Sequence, residues 1–173
     1  MDLNKLVRAS IFTALAIGLG FSLLMVPNVE LITVIVFLSG LTLGVRWGIL
    51  VGGTAEFIFS VLNPFGSGLM FPPLLISQVL SMILIGAFGG ILKSVFFKKE
   101  YSSKRIAILA LTGFILTFLF DSLTTLSFPV SVGFDFPQTF GIYLSGIGFT
   151  LLHQISNAII FPIVIPKVVK HLA

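Results

Sequence analysis

The stretch "GFTLLHQISNAIIFP", Gly148 to Pro162, sets His153, Gln154 and Asn157 within five residues of otherwise apolar chain. Two carboxylates, Glu56 in "GGTAEFIFS" and Asp121 in "FLFDSLTT", lie in surroundings as greasy. Side chains of these types can relay a proton, ligate a metal, serve a nucleophile or hold a polar ligand. His153 and Asn157 are four apart and share a helix face, with Gln154 about 100° round. Metal ligation by His153 with Glu56 or Asp121 is conceivable but weak, because the chain has two histidines and the other, His171, is at its tail. A serine nucleophile is weaker still. "GSG" at Gly66–Gly68 lacks the G-x-S-x-G frame, and Ser67 with His153 would join different depths. No G-x-x-x-x-G-K-[ST] occurs, so the chain does not hydrolyse ATP by a P-loop. Ligand binding stays open, and so does plain hydrogen bonding between helices.

The elements that carry these residues are membrane spans. The chain of 173 residues is 57% hydrophobic and 9% charged, with a mean hydropathy of +1.17. A soluble domain is about 25% charged, and a chain this short cannot hide so much apolar surface in one core. Lipid is the expected solvent. Cysteine is absent, which removes disulfides and thiolate sites. Apolar runs bounded by charge, Pro or polar clusters predict six crossings: Leu6–Met25, Leu31–Leu43, Trp47–Leu62, Leu74–Phe97, Ile106–Val130 and Thr139–Ile165. The second and third come from one long run broken by "GVRWG" at Gly44–Gly48, and both are short. The first is read as a retained span, since a signal peptide has a shorter apolar region and a small-residue cleavage site. No composition shift divides the chain, so residues 1–173 form a single integral-membrane domain. The expected fold is an all-α membrane protein with six transmembrane helices.

Charge orients it. With the N-terminus inside, all ten cations (Lys5, Arg8, Arg46, Lys93, Lys98, Lys99, Lys104, Arg105, Lys167 and Lys170) fall at inner ends or loops. The positive-inside rule predicts this sorting, and a five-span count breaks it. Both termini are therefore expected to be cytoplasmic. The same clusters would also meet anionic lipid. Glu30 and Asp135 fall in outer loops. At 1.5 Å per residue Glu56 sits roughly 13 Å above Trp47, Asp121 about 22 Å above Ile106 and His153 roughly 20 Å below Thr139. A charge at such depth costs at least ~2.5–3.5 kcal/mol unless paired or wetted. Buried carboxylates thus point to a cavity open to water or ligand. The external half carries no Lys or Arg, which suits a neutral or cationic ligand better than an anionic one. Two outer loops, "NPFGSGLMFPP" (Asn63–Pro73) and "SVGFDFPQ" (131–138), set Phe65, Phe71, Phe134 and Phe136 near Asn63, Asp135 and Gln138. They read as a pocket mouth or as an interfacial aromatic belt.

In its size, its six spans, its inner termini and its outer polar cluster, the chain resembles the substrate-binding S component of energy-coupling factor (ECF) vitamin transporters. "PNVELI", "LGVRWGILVGGTAEFIFSVLNPFG", "FDSLTT" and "HQISNAIIF" carry the resemblance together with the first span. In that family the first span packs on a transmembrane coupling subunit through small residues, typically Ala-x-x-x-Ala. "RASIFTALAIGLGFS" offers Ala9/Thr13, Ala14/Gly18/Ser22 and Ala16/Gly20 at that spacing, though no literal Ala-x-x-x-Ala. The resemblance implies a non-enzymatic subunit of an ABC-type importer in the cell membrane. Such a subunit captures a vitamin-like micronutrient beneath its first and third outer loops, then topples against the coupling subunit, driven by two cytosolic ATPases. Carried over by position, Asn28, Glu30, Glu56, Asn63, Gln78, Asp121, Thr125, His153 and Asn157 are the candidate ligand residues. No cofactor and no nucleic acid are implied. The family's metal-specific branch uses an N-terminal histidine, whereas this chain begins Met1-Asp2-Leu3, which argues against nickel or cobalt. Three other readings stay open: a stand-alone carrier or proton-linked channel using Glu56, Asp121 and His153, an intramembrane enzyme, and a structural or assembly subunit with no ligand.

Overall fold

The computed structural model describes residues 2–172, and among these it contains helices and no strand. Eight helices follow in order: α1 (Leu3–Leu23), α2 (Ile32–Leu43), α3 (Val45–Val61), α4 (Pro72–Ile91), α5 (Lys93–Phe96), α6 (Ser103–Val132), α7 (Phe136–Ser145) and α8 (Ile147–Leu172). A single 3-10 turn, Gly68–Met70, interrupts the α3–α4 connection. Helices α1, α4, α6 and α8 are each long and apolar enough to cross a membrane. At 30 residues α6 is about 45 Å long, more than a hydrocarbon core of about 30 Å requires.

The short helix α2 is the centre of the bundle. Its sequence, "ITVIVFLSGLTL", is apolar all round rather than on one stripe, the pattern of a helix enclosed on every side. Every α2 residue but Thr42 is buried, and α1, α3, α4 and α8 surround it. Phe37 is fully buried there against Phe161 of α8 and Phe96 of α5, with ring centroids 5.3 and 6.2 Å away. Gly44 ends the helix at φ 98°, a conformation that disfavours any side chain, and the chain turns straight into α3. The Nζ of Lys93 donates to the Thr42 carbonyl at 2.9 Å, placing a cation at the negative end of α2.

Lipid offers no hydrophobic reward for bringing helices together, so close backbone packing has to supply the attraction. Gly48 and Gly86 meet backbone to backbone between α3 and α4, and a Cβ on either would collide with the other's carbonyl. Between α6 and α8, Gly113 does the same service. A Cβ there would lie 2.6 Å from the Asn157 carbonyl oxygen. The antiparallel approach of α6 and α8 carries upward from that contact to Asp121 and His153.

Two of the expected spans are drawn differently. The stretch Thr139–Ile165 is not one helix, because Gly146 separates α7 from α8. Most of the expected loop 131–138 is helical or cap. Helix α6 runs to Val132, and Asp135 with Gln138 closes a capping box at the start of α7. The fourth span stops at Ile91, and the remainder forms α5 and the turn after it.

Candidate ligand site

Glu30 lies two residues before α2 and folds down onto the bundle. Its Oε2 accepts from the Thr33 backbone N–H at 2.9 Å, a carboxylate satisfying an orphan donor at a helix N-terminus. Its Oε1 accepts from Asn157 Nδ2 at 2.7 Å and lies 3.5 Å from His153 Nε2. Burial alone would push the Glu30 carboxyl up. The nearby His153 imidazole, with the bonds from Thr33 and Asn157, outweighs burial and holds it below its ordinary value.

On its other side the His153 ring meets Asp121, with Nδ1 2.8 Å from Oδ1. Gln154 Nε2 donates to Asp121 Oδ2 at 3.4 Å, and Phe120 stands edge-on to the imidazole. His153 thus bridges two carboxylates through opposite nitrogens, an arrangement that ties segments together. Among the described residues, no group of three or more His, Asp or Glu is placed to hold one metal ion.

Glu56 is different. It is 2% exposed, and its one hydrogen bond comes from Ser60 Oγ at 2.9 Å, one turn along its own helix. Gln78 Oε1 and the fully buried Thr33 Oγ1 find no hydrogen-bond partner among the described residues.

These groups line one cavity of about 360 Å³. Asn28, Glu30, Glu56, Gln78, Asp121 and His153 all face it, and Phe59, Met82, Phe120 and Phe149 supply apolar wall. Neither Lys nor Arg is among the lining residues. The rim is the α1–α2 connection, where Val26 and Val29 are exposed and Asn28 takes a positive φ of 60°. The volume suits a small organic molecule.

Three candidate ligand residues lie elsewhere. Asn157 is fully buried and does not line the cavity; it holds Glu30 from behind. Asn63 accepts from the Phe65 backbone N–H in the α3–α4 connection, an Asx turn. Thr125 is one turn beyond Asp121 on α6 and is absent from the lining. Nor do the four loop phenylalanines form a mouth. Phe71 and Phe134 pack on Phe128, Phe136 stacks on Phe140, and none of these lines the cavity. Ser67, which caps the 3-10 turn, is likewise not in the cavity with His153.

Sequence reasoning missed Thr33 and the aromatic wall. Thr33 was within reach, since it sits three residues after Glu30 at a helix start, where a carboxylate and a hydroxyl commonly gather.

The small residues of α1 divide by face. Ala9, Ala16 and Gly20 are buried within the chain, and Gly20 packs so closely that a Cβ would lie 2.6 Å from Ile32 Cδ1. Thr13 is partly buried and bonds back to the Ala9 carbonyl. Ala14, Gly18 and Ser22 are exposed, with nothing within 4 Å of a Cβ at Gly18. Ala9/Thr13 and Ala16/Gly20 therefore serve the chain's own packing, and the outward ridge is Ala14/Gly18/Ser22.

Residues 4–165 match the family of ECF transporter substrate-specific components. The chain belongs to that family, a family of membrane transporter components rather than enzymes. No curated protein and no solved structure matches it.

Proposed function

We propose that the chain captures a small, neutral or cationic, vitamin-like micronutrient at the outer face of the cell membrane. It then delivers the ligand through a transmembrane coupling subunit and two cytosolic ATPases. The observation that carries this reading is the 360 Å³ cavity, lined by three carboxylates and no Lys or Arg. The cations support this orientation. All ten lie at the end of the bundle away from the cavity, which the positive-inside rule assigns to the cytoplasm. Six crossings with both termini inside fit that polarity, with α2 and α3 as short central spans and α7–α8 as the last. The outward ridge Ala14/Gly18/Ser22 would let a coupling helix approach closely.

A proton relay through Glu56, Asp121 and His153 has less support, because the bond Glu56 makes is to Ser60 and not to His153. Co-expression with a coupling subunit and its ATPases, followed by co-purification and ATP-dependent vitamin uptake in vesicles, tests the proposal. Uptake by the chain alone would overturn it in favour of a stand-alone carrier.

A further inference from the structure

The polar groups around the cavity fall into two sets. On the side of α6, α8 and the α1–α2 connection, Glu30, Asp121, His153 and Asn157 are joined to one another. His153 Nε2, though without hydrogen-bond geometry, already faces the Glu30 carboxylate, and Asn157 Oδ1 lies behind the lining. On the side of α2, α3 and α4, the groups are Thr33, Glu56 and Gln78, one from each helix. There Glu56 has a single partner from its own helix, while Thr33 Oγ1 and Gln78 Oε1 have none among the described residues.

We infer that the α2–α3–α4 wall is a subsite for a planar organic cation bearing N–H donors, of the amidinium or protonated amino-heterocycle class. Glu56 is its counter-ion, and Gln78 and Thr33 take further N–H groups. This rests on the capture reading above and narrows its ligand. Three facts lead there. First, what the wall leaves unsatisfied is oxygen: a carboxylate, an amide carbonyl and a hydroxyl. An anion would face three carboxylates against one imidazole, His153, already held between two of them, whereas an N–H-bearing cation satisfies both charge and hydrogen bonding. Second, a hard metal ion is held by several oxygens with carboxylates prominent among them, and no group of three or more His, Asp or Glu is placed to hold one among the described residues. Third, the apolar lining sets Phe59, Phe120, Phe149 and Met82 among aliphatic side chains of the α1–α2 region, and aromatic faces suit a flat ring and tolerate positive charge.

Three probes with one ring separate the charge classes: benzamidinium, benzamide and benzoate. Thermal unfolding of the purified chain is followed as each is titrated. Benzamidinium should stabilise it, with an apparent affinity at least tenfold tighter than that of benzamide, and benzoate should give no shift. Glu56→Gln keeps the shape and the Ser60 bond, and should erase the tenfold preference. Asp135→Asn, at the exposed α7 cap, should retain it. Should Glu56→Gln fail to fold, Gln78→Leu is the second variant and should weaken benzamidinium at least threefold. Benzoate or benzamide binding as tightly as benzamidinium, no response to any probe, or a preference that survives Glu56→Gln overturns the subsite. If ATP-dependent uptake persists after such a result, capture stands and only the ligand class falls. If benzamidinium binds selectively but coupled uptake fails, the subsite stands without the importer.

Discussion

Glu30 Oε1 and Asn157 Nδ2 lie 2.7 Å apart although 127 residues separate them in the chain. That contact pins the α1–α2 connection, the rim of the cavity, to α8. Replacing Asn157 with Leu keeps the volume and removes the donor, leaving a partly buried carboxylate short of one bond. A loss of about 1–3 kcal/mol is expected. The chain has no cysteine, so one introduced at Ile32, which lines the cavity and is buried, reports rim opening without background. Its labelling by a membrane-impermeant maleimide should speed up several-fold in Asn157→Leu. An unchanged rate would mean that the contact does not hold the rim.

Acid should open the same rim. The Glu30 carboxyl is held below its ordinary 4.5 by His153, Thr33 and Asn157 against the opposing effect of burial. A group depressed in the folded state contributes stability above its unfolded value and loses it as pH falls through the folded one. The melting-temperature gap between the wild type and Glu30→Gln should therefore be full above pH 4.5 and close below it. A gap that widens on acidification contradicts the assignment.

Close packing at Gly86 predicts a steep cost for the smallest side chain. Its Cβ would run into the Gly48 carbonyl, and backbone cannot yield as a flexible side chain can. Gly86→Ala should destabilise the isolated chain by at least about 1–3 kcal/mol, the usual range for overpacking, measured by thermal unfolding in detergent. Gly18→Ala, facing open space, should leave the melting temperature within experimental scatter.

Two faces of α1 should fail in two different assays. Ala16 is fully buried, so Ala16→Leu should lower the stability of the chain by itself. Ala14→Leu and Gly18→Leu should spare stability and remove co-purification with the coupling subunit. If Ala16→Leu alone abolished assembly while folding normally, the outward ridge would be misassigned.

The helices were legible because lipid-facing sequence is written in long apolar runs, and the break at "GVRWG" marked the α2–α3 turn to within two residues, α3 beginning at Val45 rather than Trp47. Hydropathy could not find Gly146, since the residues on both sides of it are equally apolar. The ionisable candidates Glu56, Asp121 and His153 stood out by the cost of burying charge. What each one bonds to did not, because a partner on another helix depends on rotation about the helix axis, which composition leaves unspecified. The same ambiguity made three ridges of α1 equivalent on paper, while Ile32 and Phe59 settle which side Gly20 faces. Glu30 read from the residues only as an outer-loop carboxylate, and the resemblance alone put it among the ligand candidates, for a related reason: nothing near it in the chain anticipates Asn157.

Helix α2 is wrapped by one helix made before it and by four made after it, the last being α8. During synthesis, then, a 12-residue segment too short to settle across a bilayer by itself must wait, incompletely sheathed, until the C-terminal helix emerges from the ribosome. Truncation before α8 should accordingly leave a nascent product that the cell's quality-control proteases remove, even though seven of the eight helices have been made.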